Sequence, residues 1–124
     1  MSKQKILVVE DEEYLLKLES ILLTSRGYQV CSVKNGRDAL ECIAKEQPEL
    51  VLLDVMLPGI DGFNVCRQIK LNPLTSHIFV MLLTAKKGQE DVAMGAEVQA
   101  DCYMTKPFKS SMVIEKIQMF LSRQ

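Results

Sequence analysis

The sequence predicts an α/β fold: a five-stranded parallel sheet in the order 2-1-3-4-5, doubly wound with five helices. Three observations lead there. Strand and helix signals alternate without a break along the 124 residues, the pattern of repeated strand–helix–strand units around a parallel sheet. The first, third and fourth strand segments are continuous apolar runs, as expected of strands buried on both faces. The second and fifth mix in polar residues (Gln29, Ser32, Asp101), which suits sheet edges. With right-handed crossovers, two edges and three central strands give the common order 2-1-3-4-5.

The elements follow in turn. A first strand is expected over residues 5–9. The helix after it carries Leu15, Leu18, Ile21 and Leu22 on one face and stops at Gly27, a residue type common just past a helix C-terminus. Residues 28–33 read as the second strand. A helix over 37–46 groups Leu40, Ile43 and Ala44 and is ended by Pro48. The third strand is 50–53, and a short helix over 63–70 ends before Pro73. Residues 78–83 form the fourth strand. The helix over 89–97 is weaker, with Val92, Ala93 and Ala96 to bury. The fifth strand is 100–104, and a helix over 110–122 faces inward through Val113, Ile117, Phe120 and Leu121. No internal repeat, low-complexity run or linker interrupts the chain, so residues 1–124 are read as a single domain.

Composition excludes several classes. Fifteen basic and 16 acidic residues predict no bulk affinity for nucleic acid or an acidic membrane. No stretch approaches the roughly 20 apolar residues of a membrane span. Met1-Ser2-Lys3-Gln4-Lys5 leads into only four apolar residues, too few for a signal peptide, and a cytoplasmic protein is expected. Cys31, Cys42, Cys66 and Cys102 are widely spread without a Cys-x-x-Cys pair, and read as reduced, small apolar residues. The single histidine, His77, falls in a loop before a strand and is read as a surface residue.

The polar residues carry the functional signal. Asp54 closes the apolar run Leu50-Val51-Leu52-Leu53 and is followed by a turn-rich segment. Ile6-Leu7-Val8-Val9 likewise runs into Glu10-Asp11. In the order 2-1-3-4-5 the winding reverses between strands one and three, and the ligand crevice lies at the carboxyl ends there. Three carboxylates meeting at that point repel, each close pair costing roughly 3 to 4 kcal/mol at an effective dielectric of about 20. A cation must offset this, and magnesium takes one or two carboxylates together with phosphate oxygens. Thr84 ends the fourth strand and Lys106 follows the fifth, placing a hydroxyl and an ammonium in the same layer. Such a set suits a phosphoryl group, with aspartate as covalent acceptor and catalysis mainly by positioning and charge stabilisation. Singly, each residue is more readily a helix cap or a solvated charge than part of a site. The joint placement favours a site.

These motifs resemble those of a response-regulator receiver domain, the phosphoacceptor module of two-component signalling, of the chemotaxis-type single receiver fold. The resemblance covers essentially the whole chain. It rests on Glu10-Asp11, on Leu53-Asp54-Val55-Met56-Leu57-Pro58-Gly59, on Thr84-Ala85 and on Tyr103-Met104-Thr105-Lys106-Pro107-Phe108. It implies that Asp54 accepts phosphate from a phosphohistidine on a sensor histidine kinase or a histidine phosphotransfer protein. It implies Mg2+ bound directly by Asp11 and Asp54, through water by Glu10, and by the backbone carbonyl of Met56. Thr84 and Lys106 would hold the phosphoryl oxygens. Tyr103 would be the switch aromatic, turning inward as Thr84 moves and altering the surface around helix four, strand five and helix five. The Lys106-Pro107 bond is expected to be cis. The implied role is a signalling phosphoacceptor, not an enzyme in the ordinary sense, catalysing only its own phosphorylation and slow dephosphorylation.

Two departures stand out. Glu10 replaces the aspartate often found first in the acidic pair, and Gln99 stands where glycine usually precedes Ala100-Asp101. Rival readings fare worse. A phosphatase of the haloacid-dehalogenase type wants a second aspartate two positions after the first, and that position is Met56. A flavodoxin-like carrier shares the sheet order, but Glu10-Asp11-Glu12-Glu13 would repel a cradled phosphate. A receiver-like module that no longer uses phosphate is separated from a working acceptor by magnesium- and fluoride-dependent binding of beryllium.

The resemblance also bears on lifetime and assembly. Met56 and Lys86 flank the position of the hydrolytic water, and neither is suited to orient it, so slow self-dephosphorylation is expected. Cys102, Met112 and Val92 replace charged residues with which receivers attached to winged-helix domains dimerise, while Lys116 keeps a basic position. A monomer, or a dimer built on other contacts, is expected.

Overall fold

A computed structural model describes residues 3–86 and 88–122; Met1 and Ser2, the start of the segment weighed above as a leader, lie outside them. The element order is β1 (Lys5–Val9), α1 (Glu13–Ser25), β2 (Gln29–Val33), α2 (Gly36–Glu46), β3 (Leu50–Leu53), α3 (Gly62–Leu71), β4 (Phe79–Thr84), α4 (Gln89–Glu97), β5 (Cys102–Thr105) and α5 (Ser110–Leu121). The strands form one sheet in the order β2-β1-β3-β4-β5, and every pairing is parallel. This is the flavodoxin-like arrangement expected.

The strand side chains divide by parity, because successive residues of a strand point to opposite faces. Leu7, Val9, Val51, Leu53, Val80 and Leu82 face one core with Ala39, Ile43, Val65 and Ile69 from α2 and α3. Ile6, Val8, Leu50, Leu52, Met81 and Leu83 face the other, with Leu16 and Leu23 of α1 and Val113, Ile114 and Ile117 of α5. That two-sided burial is why these strands read as unbroken apolar runs. The edge strands β2 and β5 are only half-buried.

Local chemistry sets the boundaries. Asn35 caps α2, its side chain accepting from the Asp38 N–H at 2.8 Å, so that helix begins at Gly36 rather than at Arg37. Asp61 caps α3 in the same way through the Asn64 N–H at 2.9 Å, and this helix begins at Gly62. Such side-chain acceptors satisfy N–H groups left without partners in the first turn. The strand β5 begins at Cys102 rather than Ala100, because the Ala100 N–H still bonds the Gly95 carbonyl at 3.0 Å in the turn that ends α4. Gln99 lies in that turn with φ of 65°. It thus holds the left-handed conformation that glycine adopts most readily.

Three helix faces differ from expectation. In α1 the buried residues are Leu16 and Leu23, while Leu18 and Ile21 are exposed. Apolar residues cover more than half the circumference of α1, opposite a polar stripe of Glu13, Lys17, Ser20 and Thr24, so periodicity does not fix which of them pack; contact with Ile6, Val8 and α5 does. In α4 the expected Val92, Ala93 and Ala96 are exposed, and Gly95 is buried instead. Ala44 of α2 is also exposed, with Ala39 buried in its place. Among the described residues, no helix is long and apolar enough to cross a membrane. All four cysteines are free, and His77 is exposed.

Candidate functional site

β1 and β3 are adjacent, with Val9 paired to Leu53, so Glu10 and Asp54 leave the sheet side by side. Their backbones extend the ladder: the Asp54 N–H donates to the Val9 carbonyl and the Glu10 N–H to the Val33 carbonyl, each at 3.1 Å. Glu10 is 3% and Asp54 7% exposed, whereas Asp11 is open to solvent. One carboxylate oxygen from each of Glu10, Asp11 and Asp54 falls within 4.8 Å of the others.

Buried carboxylates need partners, and the turns supply them. Asp54 Oδ1 accepts from the Met56 N–H at 2.9 Å, and Glu10 Oε2 from the Glu12 N–H at 3.2 Å. Lys106, just beyond β5, closes the site from the other side. Its Nζ donates to Asp54 Oδ2 at 3.0 Å and to Glu10 Oε1 at 3.2 Å. Burial raises the Glu10 carboxyl above its usual range; the Glu12 N–H opposes this, the charge of Asp54 adds to it and Lys106 opposes it. Burial alone would lower the Lys106 ammonium, but the hydrogen bond and charge of Asp54, then those of Glu10, hold it above its usual value.

Thr84 ends β4 and is fully buried. Leu53 pairs with Leu82, so Thr84 stands one residue further along the sheet than Asp54. Its carbonyl accepts from the Lys106 N–H at 2.8 Å, tying the two strand ends together. Its hydroxyl oxygen accepts from the Lys86 N–H at 3.2 Å. The Lys106-Pro107 bond is cis. Tyr103, in the middle of β5, is half-buried, and its hydroxyl donates to the Lys86 carbonyl. The Met56 side chain is exposed, in an open depression shared with Asp11, Phe63 and Lys86.

Three carboxylates with a single ammonium leave the site short of positive charge, and an all-oxygen acidic set is what a hard divalent cation takes. The structure brings together Glu10, Asp11, Asp54 and Lys106, with Thr84 in the adjoining strand. Other contributions were not read from the sequence. Gly62 is required by proximity: a Cβ there would lie 2.3 Å from the Asp54 carbonyl oxygen, and its N–H bonds the Val55 carbonyl at 2.9 Å. Its place in the segment Pro58-Gly59-Ile60-Asp61-Gly62 was the available signal. The N–H groups of Glu12, Met56 and Lys86 carry no sequence signal, since every non-proline residue has one.

Known proteins show the same organisation. The family model described as the response regulator receiver domain matches residues 6–118. The alkaline phosphatase synthesis transcriptional regulatory protein PhoP of Bacillus subtilis is 42% identical over 120 residues, 97% of this chain and 49% of PhoP. Response regulator PleD of Caulobacter vibrioides is 41% identical over 114 residues, 92% of this chain and 25% of PleD. The chain therefore spans about half the length of the first relative and a quarter of the second. Among solved structures, the BeF3-activated N-terminal receiver domain of Klebsiella pneumoniae RstA superposes with a TM-score of 0.89 at 31% identity, covering 98% of this chain and 100% of that one. With the sheet order, the acidic cluster and the lysine in place, the chain belongs to the response regulator receiver domain family of two-component systems.

Proposed function

We propose that Asp54 is the phosphoacceptor of this receiver, taking a phosphoryl group from a phosphohistidine on a sensor histidine kinase or histidine phosphotransfer protein in the cytoplasm. The observation that carries this reading is the double anchoring of the Asp54 carboxylate, Oδ1 on the Met56 N–H and Oδ2 on Lys106 Nζ. A nucleophile held at both oxygens is positioned without further ordering, and positioning supplies much of phosphoryl-transfer catalysis. A carboxylate oxygen of Asp54 bonds to phosphorus as the phosphorus–nitrogen bond of the donor breaks. The electron pair and a proton go to the departing imidazole, leaving an acyl phosphate.

Lys106 then moves its contact from the carboxylate to a phosphoryl oxygen, and the Thr84 hydroxyl donates to another. Glu10, Asp11, Asp54 and the Met56 carbonyl would hold Mg2+, which neutralises phosphoryl charge when bound. Reorientation of Thr84 and Tyr103 would alter the surface of α4, β5 and α5 for a downstream effector domain or protein. The chain is thus a signalling phosphoacceptor whose only chemistry is its own phosphorylation and slow dephosphorylation. That the receiver of RstA is BeF3-activated supports beryllofluoride as a probe of the same site in this chain.

Asp54→Asn should retain the fold and lose acid-labile phosphate from a small phosphodonor, and chelating magnesium should do the same to the unaltered protein. Labelling of the variant at an unchanged rate would refute the assignment.

A further inference from the structure

Three elements build the slot that holds Tyr103. Phe63, at the start of α3, stacks on the ring with centroids 6.3 Å apart and planes 10° from parallel. The turn after β4 accepts the phenol hydroxyl at the Lys86 carbonyl. The third element, α4, contributes an absence: Gly95 is buried, and a Cβ built on it would lie 2.6 Å from Tyr103 Cδ2 and 3.2 Å from Cε2. Glycine inside a helix is unfavourable relative to alanine, and α4 spans only nine residues. Room for the ring is what the helix gains in return.

The slot connects to the site through one residue. Lys86 accepts the Tyr103 hydroxyl at its carbonyl and donates its own N–H to Thr84 Oγ1 at 3.2 Å. A ring displaced from α4 would release the carbonyl and with it the orientation of the neighbouring N–H. We infer that Gly95 is a positioning residue for the Thr84 hydroxyl: its missing side chain admits the Tyr103 ring, whose hydroxyl steadies the Lys86 backbone against Thr84. The effect on phosphoryl binding rests on the role proposed above for Thr84; the coupling of Gly95 to Lys86 does not.

The test compares Gly95→Ala, Tyr103→Ala and the double variant by urea unfolding, by the Lys86 amide resonance, and by beryllofluoride binding with magnesium. In the presence of Tyr103, Gly95→Ala should shift the Lys86 amide, fail to raise the urea midpoint, and weaken beryllofluoride binding by about fivefold or more. In the Tyr103→Ala background the same substitution should raise the midpoint, because alanine is the better helix residue, and leave the amide and the affinity unchanged. Equal effects of Gly95→Ala in both backgrounds would overturn the inference. Absence of beryllofluoride binding by the unaltered protein would instead refute the phosphoacceptor reading, while the urea and amide measurements would still decide the coupling.

Discussion

Lys106 Nζ lies 3.0 Å from Asp54 Oδ2, and the same ammonium reaches Glu10 Oε1 at 3.2 Å. One cation from the end of β5 therefore spans two nearly buried carboxylates from β1 and β3. Lys106→Met leaves these facing each other without compensation. The variant should lose about 2 kcal/mol of stability at pH 7.5, the scale of hydrogen bonds to charged groups. Because the Glu10 carboxyl already sits above its usual range, acidification should protonate it early and recover most of the loss. Urea unfolding at pH 7.5 and pH 4 checks this; an equal loss at both would show that the methionine perturbs packing instead.

Glu19 is half-buried beside Leu22, Leu23, Leu52 and Phe108. Burial pushes its carboxyl from an ordinary 4.5 up to about 7, with the charge of Glu10 adding, Lys106 opposing and Asp54 adding. The folded state keeps this proton where the unfolded chain has lost it, so its contribution to stability declines as pH rises from about 4.5 through about 7. Glu19→Gln should be neutral below that window. Above it the variant should be more stable by about 1 to 2 kcal/mol, less than the full shift implies because water reaches the group. Denaturation midpoints at pH 4 and pH 8 measure the difference, and a gain confined to pH 4 would contradict the sign.

Phosphate lifetime should depend on Met56. Its exposed side chain shares an open depression with Asp11 and Lys86, and an apolar group there gives an attacking water no hydrogen-bond partner. Met56→Asn should accelerate decay of the phosphorylated protein by about tenfold, equivalent to about 1.4 kcal/mol of barrier. Loss of label after donor removal gives the rate, and unchanged decay would exclude the role.

Assembly follows from the face formed by α4, β5 and α5. Val92 and Met112 are 45% and 50% exposed, and Cys102 is half-buried, at positions where the resemblance to receivers attached to winged-helix domains leads one to expect charges. Surface ion pairs contribute only about 0 to 1 kcal/mol each yet set register and specificity. The protein should stay monomeric, or dimerise through other contacts, with beryllofluoride bound. Light scattering decides, and an activation-dependent dimer broken by Lys116→Glu would contradict the expectation.

Much of the fold and site was legible in the residues. A strand buried on both faces needs apolar residues throughout, so β1, β3 and β4 announced themselves, and their order followed from the polar residues of β2 and β5. Carboxylates ending two such strands, a threonine ending the next and a lysine after the last then had to meet at one edge. The helix α5 was equally clear, because Val113, Ile117, Phe120 and Leu121 form a single stripe and all are buried.

Tertiary structure decided what depends on a partner distant in sequence. Apolar residues surround much of α1, so the choice of Leu16 and Leu23 over Leu18 and Ile21 came from the sheet and α5. On α4 the buried residue is the one without a side chain, because the Tyr103 ring fills that space. The orientation of Asp54 between a backbone N–H and a lysine 52 positions away likewise has no local cause. Alternation and strand-end chemistry are local properties and can be read along the chain. Which face packs, which glycine is needed and which carbonyl receives a hydroxyl are set by contacts between elements that meet only in the folded molecule.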